Sequence, residues 1–265
     1  MAIHFGNDKI KEIYVGSDKI NEVYYGSEKV WGGVESIKDG YWVHKDTGVK
    51  TYFGADAGFI QGGIMSSPSW YSNCSEVQIP EGVTSLEDFC FYWSESLTSI
   101  TLPESVTSLG TNCFMNCSSL TSITLREGVT SLEKWCFANC TSLTSIDIPE
   151  GVTSIGEYCF VNCTSLTSID IPEGVTSLGN SCFEGCISLP SITLPESLTS
   201  LGDYCFNGCQ NLILATVLPA TPPPLELFVF HNVHASFNIK VRSPYVDAYK
   251  TAEIWVEYAD KISAI

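Results

Sequence analysis

The sequence predicts an α+β repeat solenoid, a right-handed stack of coils with short strands and one short helix per repeat. Three observations carry this. A block of 23 residues recurs six times, its apolar positions keep one phase in every copy, and a pair of cysteines returns with it. A fixed period of about 20 to 30 residues marks a chain whose units each bury an apolar face on their neighbours.

The copies begin at Cys74, Leu97, Leu120, Leu143, Leu166 and Leu189, and a degenerate seventh begins at Leu212. The fourth, LTSIDIPEGVTSIGEYCFVNCTS, runs from Leu143 to Ser165. Its opening alternates as a strand does, which points Leu143, Ile146 and Ile148 inward. Pro149, Glu150 and Gly151 turn the chain. Val152 and Ile155 return to the core from a second extended stretch. Glu157 to Cys163 suit a turn or two of helix, with Cys159, Phe160 and Cys163 inward. The same phase assigns Cys136, Phe137, Cys140, Cys182, Phe183 and Cys186 to the structural core.

Eleven of the twelve cysteines fall into two columns, one from Cys90 to Cys205 and one from Cys117 to Cys209. An even count suggests disulfides in an extracellular protein. A residue that recurs at one inward position is instead chosen for packing, and a thiol is small, readily buried and a weak donor to turn carbonyls. The expectation is two ladders of buried free thiols, with disulfides or metal as the competing readings. The Cys-x-x-x-Cys spacing is not that of a zinc knuckle.

These residues resemble the BspA-like leucine-rich repeats, which share the repeat length and the wording IP-x-GVTSIG-x-x-CF-x-NC-x-SL over about half of the chain. The resemblance implies a leucine-rich-repeat solenoid of the bacterial cell-surface and adhesion type, and no enzymatic activity.

Outward positions repeat as well, and form stripes. Thr121, Thr144 and Thr167, together with Thr124, Asp147 and Asp170, make a hydroxyl-rich strand face with one acidic pair. This is the candidate ligand-binding surface, and solvated strand residues are its competing explanation. Glu104, Glu127, Glu150 and Glu173 belong to a column of turn carboxylates that runs from Glu81 to Glu196. They are candidate calcium ligands, although the motif lacks a carbonyl-rich calcium loop.

The ends differ from the middle. Residues 1–33 hold a shorter repeat of period ten, in IHFGNDKIKE, IYVGSDKINE and VYYGSEKVWG, which reads as small antiparallel hairpins. That piece resembles N-terminal segments of phage-tail proteins. Residues 34–73 contain YWVHKDTGVKTYFG, two aromatic strands around Asp46-Thr47-Gly48, and are expected to cap the first coil. The six repeats occupy 74–211. Residues 212–265 carry the degenerate copy, a proline cluster from Pro219 to Pro224, and a strand-and-helix cap. In that cap Tyr245 and Tyr249 share one helical face, and Trp255, Tyr258 and Ile262 another. The cap resembles the C-terminal cap of the same repeat proteins.

Charge narrows the partners. Thirteen basic against thirty acidic residues leave −17, and Cys74 to Asn211 holds sixteen carboxylates against only Arg126 and Lys134. Nucleic acid and anionic membrane are disfavoured, since both are bound through excess Lys and Arg. No apolar run approaches the length of a membrane span, and the first residues lack the apolar core of a secretory signal. Phosphate-loop, nucleophile-elbow and HExxH motifs are absent, and His231 with His234 lacks further ligands, so neither catalysis nor a cofactor is expected. The reading is a non-catalytic binding module for a protein or glycan ligand. The alternative is a structural component of a phage tail or surface assembly, with the solenoid as spacer.

Overall fold

The computed structural model describes residues 74–265 throughout and, ahead of them, the strands Ile13–Val15, Asp18–Ile20, Glu22–Tyr25, Glu28–Gly32, Gly40–His44, Lys50–Phe53, Ile60–Gln61 and Ile64–Met65. The chain winds into a β-solenoid of about eight turns with little helix. Equivalent residues of successive coils pair in parallel at a register of 23: Ser99 with Ser122, Ser145 with Ser168, Ile146 with Ile169. A second file of two-residue strands, such as Ser131–Leu132 and Ser154–Ile155, pairs the same way on another side of the coil. The register becomes 24 where Leu214 meets Asn238, then returns to 23 where Ile239 meets Ile262.

The short helix expected in each repeat is not formed. Two residues per coil sit at positive φ, Tyr158 and Asn162 at 56° in the fourth copy, and a right-handed helix cannot pass through them. The N–H groups of Tyr158, Phe160 and Asn162 reach the next coil, to Asn180, Cys182 and Glu184 carbonyls at 2.7–2.8 Å. Those of Cys159, Val161 and Cys163 return to the carbonyl three residues back. Consecutive tight turns thus satisfy all six donors, half of them between coils, and leave none for an i−4 ladder. A left-handed residue in the second central position suits such turns. Asparagine or glycine fills it at Asn116, Asn139, Asn162, Gly185 and Gly208.

Inside, Phe91, Phe114, Phe137, Phe160, Phe183 and Phe206 form an unbroken ring stack, with centroids 5.3–5.5 Å apart. All twelve cysteines are free and buried. In the second column each thiol donates to the phenylalanine carbonyl of the preceding coil, Cys163 Sγ to Phe137 O and Cys186 Sγ to Phe160 O at 3.2 Å. Ser94 replaces the first member of that column, and its buried hydroxyl has no partner among the described residues. Val229 and Val233 replace both cysteines in the seventh coil, where Phe230 continues the stack 5.5 Å from Phe206.

Both ends of the parallel sheet are covered, as an exposed row of unpaired backbone groups requires. Gly40–His44 pairs antiparallel with Cys74–Gln78 and with Lys50–Phe53. Earlier in the chain, Ile13–Val15 pairs with Asp18–Ile20 and Glu22–Tyr25 with Glu28–Gly32, both antiparallel. The Asp46-Thr47-Gly48 turn and the first period-ten copy lie outside the described residues. At the other end the only α-helix among the described residues is Val246–Thr251, followed by a 3₁₀ turn at Trp255–Tyr258. Ile262 is not on a helical face with Trp255 and Tyr258. It lies in the strand Ile262–Ala264, which continues the sheet and so places the side chain in the core. Tyr249 and Trp255 are fully buried and donate to Pro219 O and Pro223 O, so the cap's own polar atoms satisfy carbonyls of the proline segment.

Phe160→Ala is expected to lower unfolding free energy by about 3–5 kcal/mol, measured by denaturant titration, because it opens a gap in the middle of the ring stack. Burial also pushes the thiols of Cys113, Cys136, Cys140 and Cys163 well above the ordinary 9.0, and that of Cys74 up to about 12. Above pH 9.0 such thiols ionise only in the unfolded chain. The folded state then binds more protons, so the stability they contribute is complete below that pH and lost above it. Each thiol should subtract about 1.4 kcal/mol per further pH unit. A falling denaturation midpoint from about pH 9 upward, under anaerobic reducing conditions, checks this.

Candidate functional site

The strand face is built by register. The pairings Tyr41–Gln78, Gln78–Thr101, Thr124–Asp147, Asp147–Asp170, Thr193–Thr216, Thr216–Lys240 and Lys240–Ser263 align one outward residue from each coil in a single file. Thr124, Asp147 and Asp170 are exposed neighbours in it. The fold thus sets these three in one file, with Asp147 beside Asp170 across one strand spacing. Two unit charges at roughly 5 Å repel by about 0.8 kcal/mol in bulk water, a cost that a ligand donor placed between them would remove.

Thr121, Thr144 and Thr167 form another exposed file, three residues earlier in each coil and beyond that of Ser122, Ser145 and Ser168. Each donates its hydroxyl proton to the backbone carbonyl one coil earlier, Thr121 to Thr98, Thr144 to Thr121 and Thr167 to Thr144, at 3.2–3.4 Å. These carbonyls also receive the threonine N–H groups. The hydroxyl protons are thus committed to holding coils together, and only oxygen lone pairs remain for a ligand. With the two aspartates, these threonine oxygens offer acceptors to donors such as sugar hydroxyls, amides and ammonium groups, beside the exposed hydroxyls of Ser122, Ser145 and Ser168. At its far end Ile213, Leu214, His234, Asn238, Lys240 and Ser263 line an open depression of about 650 Å³. His231 and His234 do not converge: His231 Nδ1 lies 3.3 Å from Asn207 Oδ1, and His234 Nδ1 accepts the Ser236 N–H.

Glu104, Glu127, Glu150 and Glu173 are exposed in one turn file, and Glu104 and Glu173 engage neighbours. Arg126 stands where five other copies have proline. Its guanidinium donates to Leu102 O and pairs with Glu104 at 2.8 Å. Glu173 Oε2 accepts the Glu196 N–H, and Glu196 pairs with Arg242. Among the described residues, no group of three or more His, Cys, Asp or Glu gathers to hold a metal ion.

One feature escaped the sequence reading. Aromatic side chains stand on the turn edge at the first left-handed position of the coil: Phe89, Trp135, Tyr158, Tyr204 and Phe228, with Trp93 at the second. Trp135 and Tyr158 stack at 4.1 Å, and Tyr204 and Phe228 at 5.3 Å. The signal was the aromatic letter before the column cysteine or its valine substitute in five of seven coils. On a short helix the same positions would form its outer side, which hides the signal.

Residues 69–169 and 133–234 match the family described as BspA type leucine rich repeat region, with six copies. Among solved structures, the chain is similar to a leucine-rich repeat protein of T. pallidum, at 24% identity over 86% of this chain and 94% of that one, with a TM-score of 0.55. A leucine rich cell surface protein of Faecalibacterium prausnitzii A2-165 is 26% identical over 73% of this chain and 64% of its own, with a TM-score of 0.43. The first of these likenesses shows the fold. Among the curated proteins none matches the chain.

Glu104, Glu173 and Glu196 of the glutamate file already engage Arg126, a backbone N–H and Arg242, which opposes their convergence on a cation. The melting temperature is expected to be the same in chelator and in millimolar calcium; a rise of several degrees with calcium would reinstate Glu104, Glu127, Glu150 and Glu173 as ligands.

Proposed function

The chain belongs to the BspA-type leucine-rich repeat family, and from that premise we propose that it is a non-catalytic recognition module which binds a protein or glycan on its strand face at a cell surface. The supporting observation is the exposed file in which register sets Asp147 beside Asp170, on the same face as the exposed Ser145 and Ser168 and as threonines whose hydroxyls offer lone pairs only. Such a face binds through ligand donors. No helix of the described residues is long and apolar enough to cross a membrane.

A second reading draws on the two antiparallel hairpins within Ile13–Val15 to Glu28–Gly32. In it they dock into a tail or surface assembly and the solenoid is a spacer. Removal of residues 1–33 would then abolish assembly, whereas ligand binding by the strand face would survive it.

The test is binding of the chain to arrays of immobilised oligosaccharides and purified cell-surface proteins, repeated with Asp147→Asn/Asp170→Asn. At least tenfold weaker binding to whatever the parent retains, with unchanged melting, is expected. Equal binding by parent and variant would remove the strand face from the reading.

A further inference from the structure

The aromatic turn edge sits on a different side of the coil from the strand face. Its residues are there against two local preferences. The positive-φ backbone suits asparagine or glycine, which the chain itself uses at Asn112, Asn116, Asn139, Asn162, Gly185 and Gly208. Bulky residues in that conformation are outliers, and strained residues of this kind cluster where ligands are held. Exposure is equally unfavourable for such rings, yet Phe89, Trp93 and Phe228 are 48–50% exposed and Tyr204 is 37% exposed.

Carboxylates border the rings. Glu87, Asp88 and Glu95 neighbour Phe89 and Trp93 in the chain, and Asp203 and Glu226 neighbour Tyr204 and Phe228. Asp203 Oδ1 is fixed by the Leu227 N–H at 2.7 Å. The middle of the edge displays what this combination holds. Lys134 Nζ lies 5.7 Å from the centre of the Tyr158 ring and 2.5 Å from Glu157 Oε2, so a cation of the chain's own fills the Trp135–Tyr158 station. Rings and carboxylates together stabilise a cation more than either does alone, and guanidinium stacks best.

We propose that the two outer stations, Phe89 with Trp93 and Tyr204 with Phe228, bind cationic side chains of an arginine-rich polypeptide in the way that the central station holds Lys134. The −17 charge draws such a partner in, and the rings give it a place to dock. The stations lie five to six coils apart, roughly 26 Å at strand spacing, which about eight residues of extended chain would span.

The probe is a fluorescent octa-arginine peptide, titrated by anisotropy at physiological salt. The key variant is Phe89→Asn/Trp93→Asn/Tyr204→Ser/Phe228→Asn. It gives each position a residue that other coils already carry there, and leaves net charge unchanged. Unchanged or raised melting temperature establishes that it folds. Binding at least tenfold weaker than the parent's is expected, with octa-lysine weaker than octa-arginine on the parent. Asp147→Asn/Asp170→Asn should bind octa-arginine as the parent does, which separates this edge from the strand face. Equal affinity of parent and aromatic variant would reduce the interaction to unspecific attraction by net charge and overturn the proposal. So would an edge-dependent affinity for a neutral oligosaccharide without one for octa-arginine.

Discussion

Every coil of this protein completes its backbone hydrogen bonding only on the next one. Half of the turn-edge N–H groups, the strand amides and several threonine hydroxyls all find their acceptors 22 to 24 residues away. A single coil would leave these groups without protein partners and its apolar face in water, and a stack slipped out of register would bury them unpaired, each at a cost comparable to a lost hydrogen bond. The register between coils is therefore the constraint that the rest obeys. It stacks Phe on Phe at 5.3–5.5 Å, sets each second-column thiol against the same carbonyl, and chains Asn116, Asn139 and Asn162 side chain to side chain.

The same constraint makes the surface. An outward residue repeated in sequence becomes a file, and its chemistry depends on what the coil beneath has already claimed. The threonine file has given its protons to carbonyls, so it accepts. The aspartate pair sits in a separate file on the same face, beyond the exposed serines Ser145 and Ser168. The glutamate file is interrupted by arginines, one of which occupies a proline position. On the turn edge the backbone admits residues that tolerate positive φ, so each aromatic there is a departure from the local rule, and two pairs of them stack across coils.

A stack that relies on neighbours needs ends that do not. Gly40–His44 turns antiparallel against the first strand, and the helix Val246–Thr251 brings Tyr249 to the last coil. The C-terminal cap uses aromatic side chains, because one large ring covers apolar core while its polar atom reaches a stranded carbonyl, as Tyr249 and Trp255 do at Pro219 and Pro223.

Period, inward positions and the packing role of the thiols were legible because they depend on the repeat alone: Leu143, Ile146, Cys159, Phe160 and Cys163 point inward in any coil that repeats every 23 residues. The conformation of Glu157 to Cys163 was not. Inward residues at Cys159, Phe160 and Cys163 fit a helical turn and a run of tight turns equally well, and the choice rests on bonds to a coil 23 residues ahead. Asn162 hinted at a left-handed residue; Tyr158 pointed the other way, since aromatic rings rarely adopt that conformation. The sequence likewise named the threonines and aspartates of the strand face, but whether a hydroxyl is free or committed is a property of the coil on which it rests. Composition and period determined the stack and its core. Donor, acceptor and ring placement on its surface was decided only by contact between coils, because those groups have no partner within their own.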